Sequence, residues 1–435
     1  MTRVAVIGAG AMGLAAAYHA ADAGHKVTVF EVDSVPGGMA AHFDFSGLSI
    51  ERFYHFVCKA DQPTFELMKE LGIAERMRWV CTSMGYFVDG RLYDWGNPIA
   101  LLRFPALSIA EKLRYGLMMF LSVQRSSPGS LEYLSAKRWI ESWCGRRVYD
   151  RLWRPLFDLK FYEFADDISA AWIWTRIKRL GRSRRSIMQE ELGYIDGGTE
   201  TLVHALVNAI GAKGGDIRLG VRVEEVRVVE NRVVGLVANG TAMHFDAIIS
   251  TVPTPVVSRL VPGLPEDLKT VYDEIKNIGV ICLIFKLKMP VTPHFWVNIA
   301  DDRIAVPGLV EFSNLRPTGA TIVFVPFYMP ATNPKWARGD EEFVSEAFSY
   351  LKLINPKLTE GDLIDSKVGR LRYAQPVCHP GFGATIPPVQ TPIAGLQIAD
   401  TCFYYPEDRG VSESVRYGRL MARAIDDAAV WGPGR

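Results

Sequence analysis

The sequence predicts an α/β fold built on a parallel, doubly wound sheet, and three observations near its start predict it. An apolar run, Val4-Ala5-Val6-Ile7, is followed at once by Gly8-Ala9-Gly10-Ala11-Met12-Gly13. An alanine-rich helical stretch, 14–23, stops at Gly24, and a second run, Lys26-Val27-Thr28-Val29-Phe30, ends on Glu31. Fully apolar runs of this length suit strands buried on both faces. The chain has 435 residues, 49% hydrophobic and 22% charged, which excludes intrinsic disorder. That length equals roughly two to three domains of about 150 residues, or one large interleaved enzyme. Against 49 Lys and Arg stand 48 Asp and Glu, a net charge of +1 that leaves no global field for wrapping nucleic acid.

Each element of the opening has a physical task. Gly8 permits a tight turn, Gly10 lets the backbone approach a pyrophosphate, and Gly13 lets helix pack closely on strand, as in a Rossmann-like dinucleotide domain. The helix that opens at Ala11 and Met12 turns its free N–H groups and positive dipole end toward the phosphates. Glu31, eighteen positions after Gly13, is placed to accept hydrogen bonds from both ribose hydroxyls and to repel a 2′-phosphate. Strand, glycines, helix, strand and terminal acid in this order point to a bound dinucleotide.

Glu31-Val32-Asp33-Ser34-Val35-Pro36-Gly37-Gly38-Met39 adds a glycine pair that lets backbone come close to phosphates and a ribityl chain. With it the chain resembles the superfamily of FAD-containing amine oxidases, protoporphyrinogen oxidases and phytoene desaturases. In that family an Arg usually follows the doublet; Met39 stands there, so one phosphate or flavin contact is replaced. Two further stretches resemble the same superfamily. One is Gly197-Gly198-Thr199 with the helix behind it and the strand at 217–226, where the residue equivalent to Val223 holds the adenine through its backbone. An alternating run, 227–237, turns at Glu230-Asn231 and is followed by a return strand at 247–253. The other stretch is Gly395-Leu396-Gln397-Ile398-Ala399-Asp400 with a helix from Val411. In the family an Asp at the position of Asp400 bonds the flavin pyrophosphate or ribitol, and a helix starting near Val411 points its N-terminus at the flavin. The resemblance therefore implies FAD; NAD alone needs no closing C-terminal segment.

It also implies a discontinuous FAD domain, 1–60 with 190–255 and 365–435, and a mixed α+β substrate domain, 61–189 with 256–364, that includes a helical insert. Spacings of three and four between apolar residues predict helices over 63–72, 109–123, 131–144, 147–156 and 169–180. In the second insert 280–285 and 320–328 read as strands and 340–353 as a helix.

When FAD does the redox chemistry, the protein positions a C–H bond and excludes water. His55, in Ile50-Glu51-Arg52-Phe53-Tyr54-His55-Phe56, is a candidate donor to substrate or flavin, or a satisfied structural histidine. Glu51 and Arg52 pair with each other or with the pyrophosphate. Amine-oxidising members of the superfamily carry a Lys in a G-x-V-x-K strand; here Gly279-Val280-Ile281-Cys282 brings Cys282 to that place, which disfavours an oxygen-consuming amine oxidase. In 370–377, which resembles the family's stretch before the last flavin strand, Tyr373 and Gln375 are the candidate site-lining residues.

Together the residues and the resemblance imply an FAD-dependent oxidoreductase that takes a hydride from a C–C or C–N bond of a largely apolar small molecule, free or lipid-linked. The alternatives are a mono- or polyamine oxidase releasing peroxide, and a non-redox mutase resembling UDP-galactopyranose mutase. Six scattered cysteines without a C-x-x-C pair argue for free thiols in a reducing cytoplasm and no metal site, and the N-terminus shows no cleavable leader. No run of eighteen apolar residues is present. The charged but greasy stretch 98–124 is either a core helix pair or a surface that dips into the inner face of a membrane. The basic segment 176–185, just behind Trp172 and Trp174, is either a solvated loop or a contact for anionic lipid or substrate phosphate. Oligomeric state is left open.

Overall fold

The computed structural model describes residues 1–428; positions 429–435, the end of the segment assigned above to the FAD domain, lie outside the described residues. Arg3–Ile7 and Lys26–Phe30 are strands, and the helix between them spans Ala11–Asp22. It begins earlier than the apolar pattern suggests because Gly10 already caps it in extended geometry (φ −69°, ψ 174°). Gly13 thus falls in the first turn, where a Cβ would stand 1.9 Å from the Gly8 carbonyl oxygen, so no other residue fits. These strands are the middle of a five-stranded, fully parallel sheet in the order Asp216–Arg218, Lys26–Phe30, Arg3–Ile7, Ala247–Ser250, Leu396–Ile398. Helix Val411–Ala428 returns from the far end of the chain to cross Ala11–Asp22 at Gly418, where a Cβ would lie 2.6 Å from the Met12 carbonyl oxygen.

A second sheet has seven strands in the order Leu363–Pro376, Asn277–Leu287, Thr321–Met329, Gly308–Glu311, Trp296–Ala300, Met84–Val88, Arg91–Trp95. Its alternation separates two environments. Ile281, Leu283 and Phe285 pack with Val323, Val325 and Phe327 against helix Asp340–Ile354, while Val280, Cys282 and Ile284 face the main core.

Several boundaries move. The 61–189 insert is less helical than its apolar spacing suggests: it contributes Met77–Thr82, Met84–Val88 and Arg91–Trp95, the last two joined at Asp89-Gly90 with both residues at positive φ. That pair is the signature of a type I′ hairpin turn. The helix expected over 131–144 is a short 3-10 turn, Gly129–Tyr133, and then Ala136–Cys144, whose cap is Ser135. The one expected over 147–156 breaks at Trp153 because Pro155 belongs to the first turn of a new helix, Arg154–Phe161. Leu363–Pro376 pairs with Asn277–Leu287, so the start of the 365–435 segment belongs to the second sheet. Gln189–Ile195 likewise pairs with Met77–Thr82 of the insert.

Glu311 is fully buried on the second sheet and accepts from the backbone N–H groups of Val291 (3.1 Å) and Thr292 (2.7 Å) through Oε2, while Oε1 has no partner. Burial pushes its carboxyl up to about 8, outweighing both donors. The folded state therefore binds more protons than the unfolded chain between about 4.5 and about 8, and its stability falls as pH rises across that window. Glu311→Gln is expected to stabilise the protein by on the order of 2–4 kcal/mol at about pH 8 and to change little near pH 4.5. Denaturant unfolding at the two pH values reads this difference; a gain independent of pH would show that the charge is not the cause.

Candidate functional site

Gly8, Glu31, Thr251 and Asp400 lie just beyond the C-terminal ends of four parallel strands and line one cavity of about 1320 Å³. Ligands bind at this edge of open α/β sheets, and pockets for one small molecule usually hold about 300–1,000 Å³, so the space suits a dinucleotide and a second molecule. Gly10 faces it with room to spare: a Cβ there meets nothing within 4 Å. Gly37 donates its N–H to Ala9 (2.8 Å), and a Cβ on Gly38 would lie 3.1 Å from the Gly10 Cα, which holds the doublet against the first glycine turn. Ala11, Met12 and Met39 complete this wall.

The Glu31 carboxylate is buried at the strand end, where Oε2 accepts from Ala9 N (2.7 Å) and Oε1 from Asp33 N (2.8 Å). Each oxygen keeps a lone pair for a ribose hydroxyl. The Val221 N–H donates to the Glu31 carbonyl (2.8 Å), which brings Val223 to the same end of the cavity. Asp400 accepts from Thr254 N (2.6 Å) and Cys402 N (2.8 Å), and burial raises its carboxyl above the usual range. Gly410 and Val411, at the mouth of the last helix, line the cavity beside it. An open glycine, a buried acid at the strand end and a helix N-terminus are what FAD requires, and the residues fit it.

Beyond these groups the cavity is walled by aromatic and aliphatic side chains. His55 lies on it with Nδ1 buried and lacking a hydrogen-bond partner; burial, and then Arg409, hold its imidazole down at about 4, so the ring is neutral. Strand register puts Cys282, rather than Ile281 or Leu283, on the cavity side, and burial keeps its sulfur a protonated thiol. Tyr373 lines the cavity. Gln375 does not: the pairing with Asn277–Leu287 is irregular between Leu371 and Gln375, and the buried Gln375 amide donates to the Pro376 carbonyl instead.

Glu51 and Arg52 pair elsewhere, not with each other. Glu51 binds Arg316 (Oε2 to Nη1, 2.8 Å) and accepts from Thr199 N (3.2 Å), all buried, and Arg52 binds Asp33. Beside them, burial holds the His42 imidazole down at about 3. The neutral ring accepts from Glu200 N at Nε2 (3.0 Å) and bonds Ser49 Oγ at Nδ1 (3.0 Å). Trp172 and Trp174, just ahead of the basic segment, are core residues and lie at no membrane or solvent interface. The basic segment is divided: Arg176 is bound to Asp408, Arg179 makes two bonds to Asp61 (3.0 and 2.7 Å), and Arg182 and Arg185 are exposed.

Sequence reasoning missed the group around Lys160. Its Nζ lies 4.9, 5.3 and 5.4 Å from the ring centres of Tyr328, Trp172 and Phe161. Arg409 donates to the Ala374 carbonyl, and the hydroxyls of Tyr54 and Tyr328 meet at 3.3 Å. Arg409 follows Asp408 directly before the last helix, a position the sequence offered as a signal; Lys160 sits in an apolar helical pattern that offered none.

Comparison with known proteins agrees with this geometry. The family model described as flavin containing amine oxidoreductase matches residues 13–401. The 15-cis-phytoene desaturase of Solanum lycopersicum is 24% identical over 463 residues, covering 97% of this chain and 77% of that protein. A reduced UDP-galactopyranose mutase superposes with a TM-score of 0.77 at 16% identity, covering 98% of this chain and 96% of that one. A putrescine oxidase bound to putrescine superposes with a TM-score of 0.72 at 18% identity, covering 98% and 99%.

Proposed function

Because the chain belongs to the flavin containing amine oxidoreductase family and is an FAD-dependent oxidoreductase, we propose that it takes a hydride from a C–C or C–N bond of a largely apolar substrate drawn from a membrane surface. When bound, FAD supplies the hydride acceptor. The observation that carries the reading is the continuity of the apolar cavity with an exposed apolar belt. Tyr115, Met119, Ile177 and Leu180 line the cavity, and Phe120 and Ile187 both line it and stand in solvent. Around them Ile99, Leu102, Ile109, Leu113 and Leu117 are exposed, on helices Pro98–Arg103 and Ile109–Gln124. A surface helix normally turns such a stripe inward. Exposed Arg103, Arg114, Arg182 and Arg185 nearby suit anionic headgroups. No described helix is long and apolar enough to cross a membrane, so the contact is one of lying in the interface.

Within the cavity the protein's own work is orientation and exclusion of water. His55 is neutral, Cys282 keeps its proton, and Tyr54 and Tyr328 offer hydroxyls, so the walls suit removal of hydride from a neutral carbon. A desaturase named for phytoene among the relatives supports a substrate of this type. Against a nucleotide-diphosphate mutase, Arg176 and Arg179 are already occupied by Asp408 and Asp61.

Anaerobic mixing tests the reading: a long polyene is expected to bleach the visible flavin band, and a polyamine is not. Bleaching by the amine, with peroxide on admission of air, overturns it. Leu113→Asp with Leu117→Asp should reduce cosedimentation with phosphatidylglycerol vesicles on the order of tenfold. Unchanged cosedimentation removes the membrane element.

A further inference from the structure

Lys160, Arg176 and Arg409 bring an amine and two guanidinium groups to one wall of the cavity, and Asp408 is the carboxylate set among them. Arg176 stacks on Trp172 at 3.7 Å and takes Asp408; Arg409 bonds a carbonyl and stands 5.8 Å from the Tyr328 ring centre. Lys160 lies between them, facing Tyr328 and Trp172, and has no hydrogen-bond or ion-pair acceptor among the described residues. Burial first, then Arg176 and Arg409, hold its amine well below the ordinary lysine range. Asp408 acts on this amine without bonding it, and an arriving anion restores the acceptor that its N–H groups lack in an apolar wall.

We propose that this cluster is an oxyanion subsite: the substrate is an apolar molecule bearing one carboxylate or phosphate, which Lys160 and Arg409 receive beside the Arg176–Asp408 pair. The inference deepens the reading above and rests on it. Arg182, exposed at the cavity edge, follows Arg176 by six residues on helix Ala170–Arg182, so the subsite lies roughly 9 Å along that helix from it, within reach of a lipid-like acid whose tail leads from the belt. Two charge-assisted contacts in a dry wall then select acids over alcohols of the same length.

Calorimetry on the FAD-loaded protein with dodecanoate, dodecyl phosphate and dodecanol tests this. The acids are expected to bind more tightly than dodecanol by on the order of tenfold to a hundredfold, and whichever acid is preferred identifies the headgroup. In Lys160→Met the preference should fall by about tenfold, with dodecanol unaffected and the melting temperature of the ligand-free protein unchanged or raised, since no acceptor is lost. Equal binding of dodecanol and the acids by the wild-type protein overturns the subsite and leaves the apolar reading standing, whether or not the variant folds. Unchanged acid affinity in Lys160→Met, with or without a shifted flavin spectrum, also overturns it. Binding of none of the three overturns both.

Discussion

Gly10→Ala yields a folded protein that does not retain FAD. The backbone at Gly10 (φ −69°, ψ 174°) is open to any residue, and a Cβ there meets nothing within 4 Å, so the fold loses nothing. The added methyl instead enters the cavity at the head of the first helix, where backbone N–H groups meet phosphate. Losing one or two such charge-assisted bonds weakens binding by roughly a hundredfold or more. The expected result is a circular dichroism spectrum and melting curve like those of the apoprotein, with no visible flavin absorbance after gel filtration. Stoichiometric FAD in the variant would contradict the assignment of the site. Gly13→Ala serves as the contrast: its Cβ would clash with the Gly8 carbonyl oxygen, so it should lose the fold as well as the colour.

Arg316→Met is expected to destabilise the protein by about 3–5 kcal/mol, because it leaves the buried Glu51 carboxylate without its cation. Burial already raises the Glu51 carboxyl, and Arg316 is the first group that opposes this. Glu51→Leu combined with Arg316→Met removes both charges and should recover most of the loss. A double-mutant cycle by denaturant unfolding reads the coupling; a double variant no better than Arg316→Met alone would mean that packing, not charge, is what the pair supplies.

The parallel sheet was legible because its signals are local. Apolar runs, a glycine turn that tolerates few alternatives and a terminal acid sit within thirty-one residues, and register then follows. The two later stretches were legible only by resemblance, since a three-residue strand such as Leu396–Ile398 carries no periodicity of its own. The hairpin at Asp89-Gly90 had a local signature that the surrounding apolar spacing obscured. Gln375 was misplaced because alternation along Leu363–Pro376 holds only until the pairing irregularity near Leu371, a property of the partner strand. Lys160 was invisible for a different reason: the rings and guanidinium groups that make it unusual come from helix Ala170–Arg182, strand Thr321–Met329 and the turn before Val411. Its own helix supplies only the Phe161 ring.

The crossing of Ala11–Asp22 by Val411–Ala428 at Gly418 also sets a timetable for biosynthesis. The first helix, which offers its N-terminus to the cofactor, is covered by a helix made long after it, and Asp400 and Val411 arrive with that helix. At about 5–20 residues per second the stretch between the two helices takes on the order of half a minute to appear. Through that interval the N-terminal strands wait with an unpaired edge, the state in which parallel sheets are slow to form and prone to aggregate. Cofactor loading therefore waits for these residues, and a nascent chain stalled before residue 395 should carry no flavin, whatever the concentration of FAD around it.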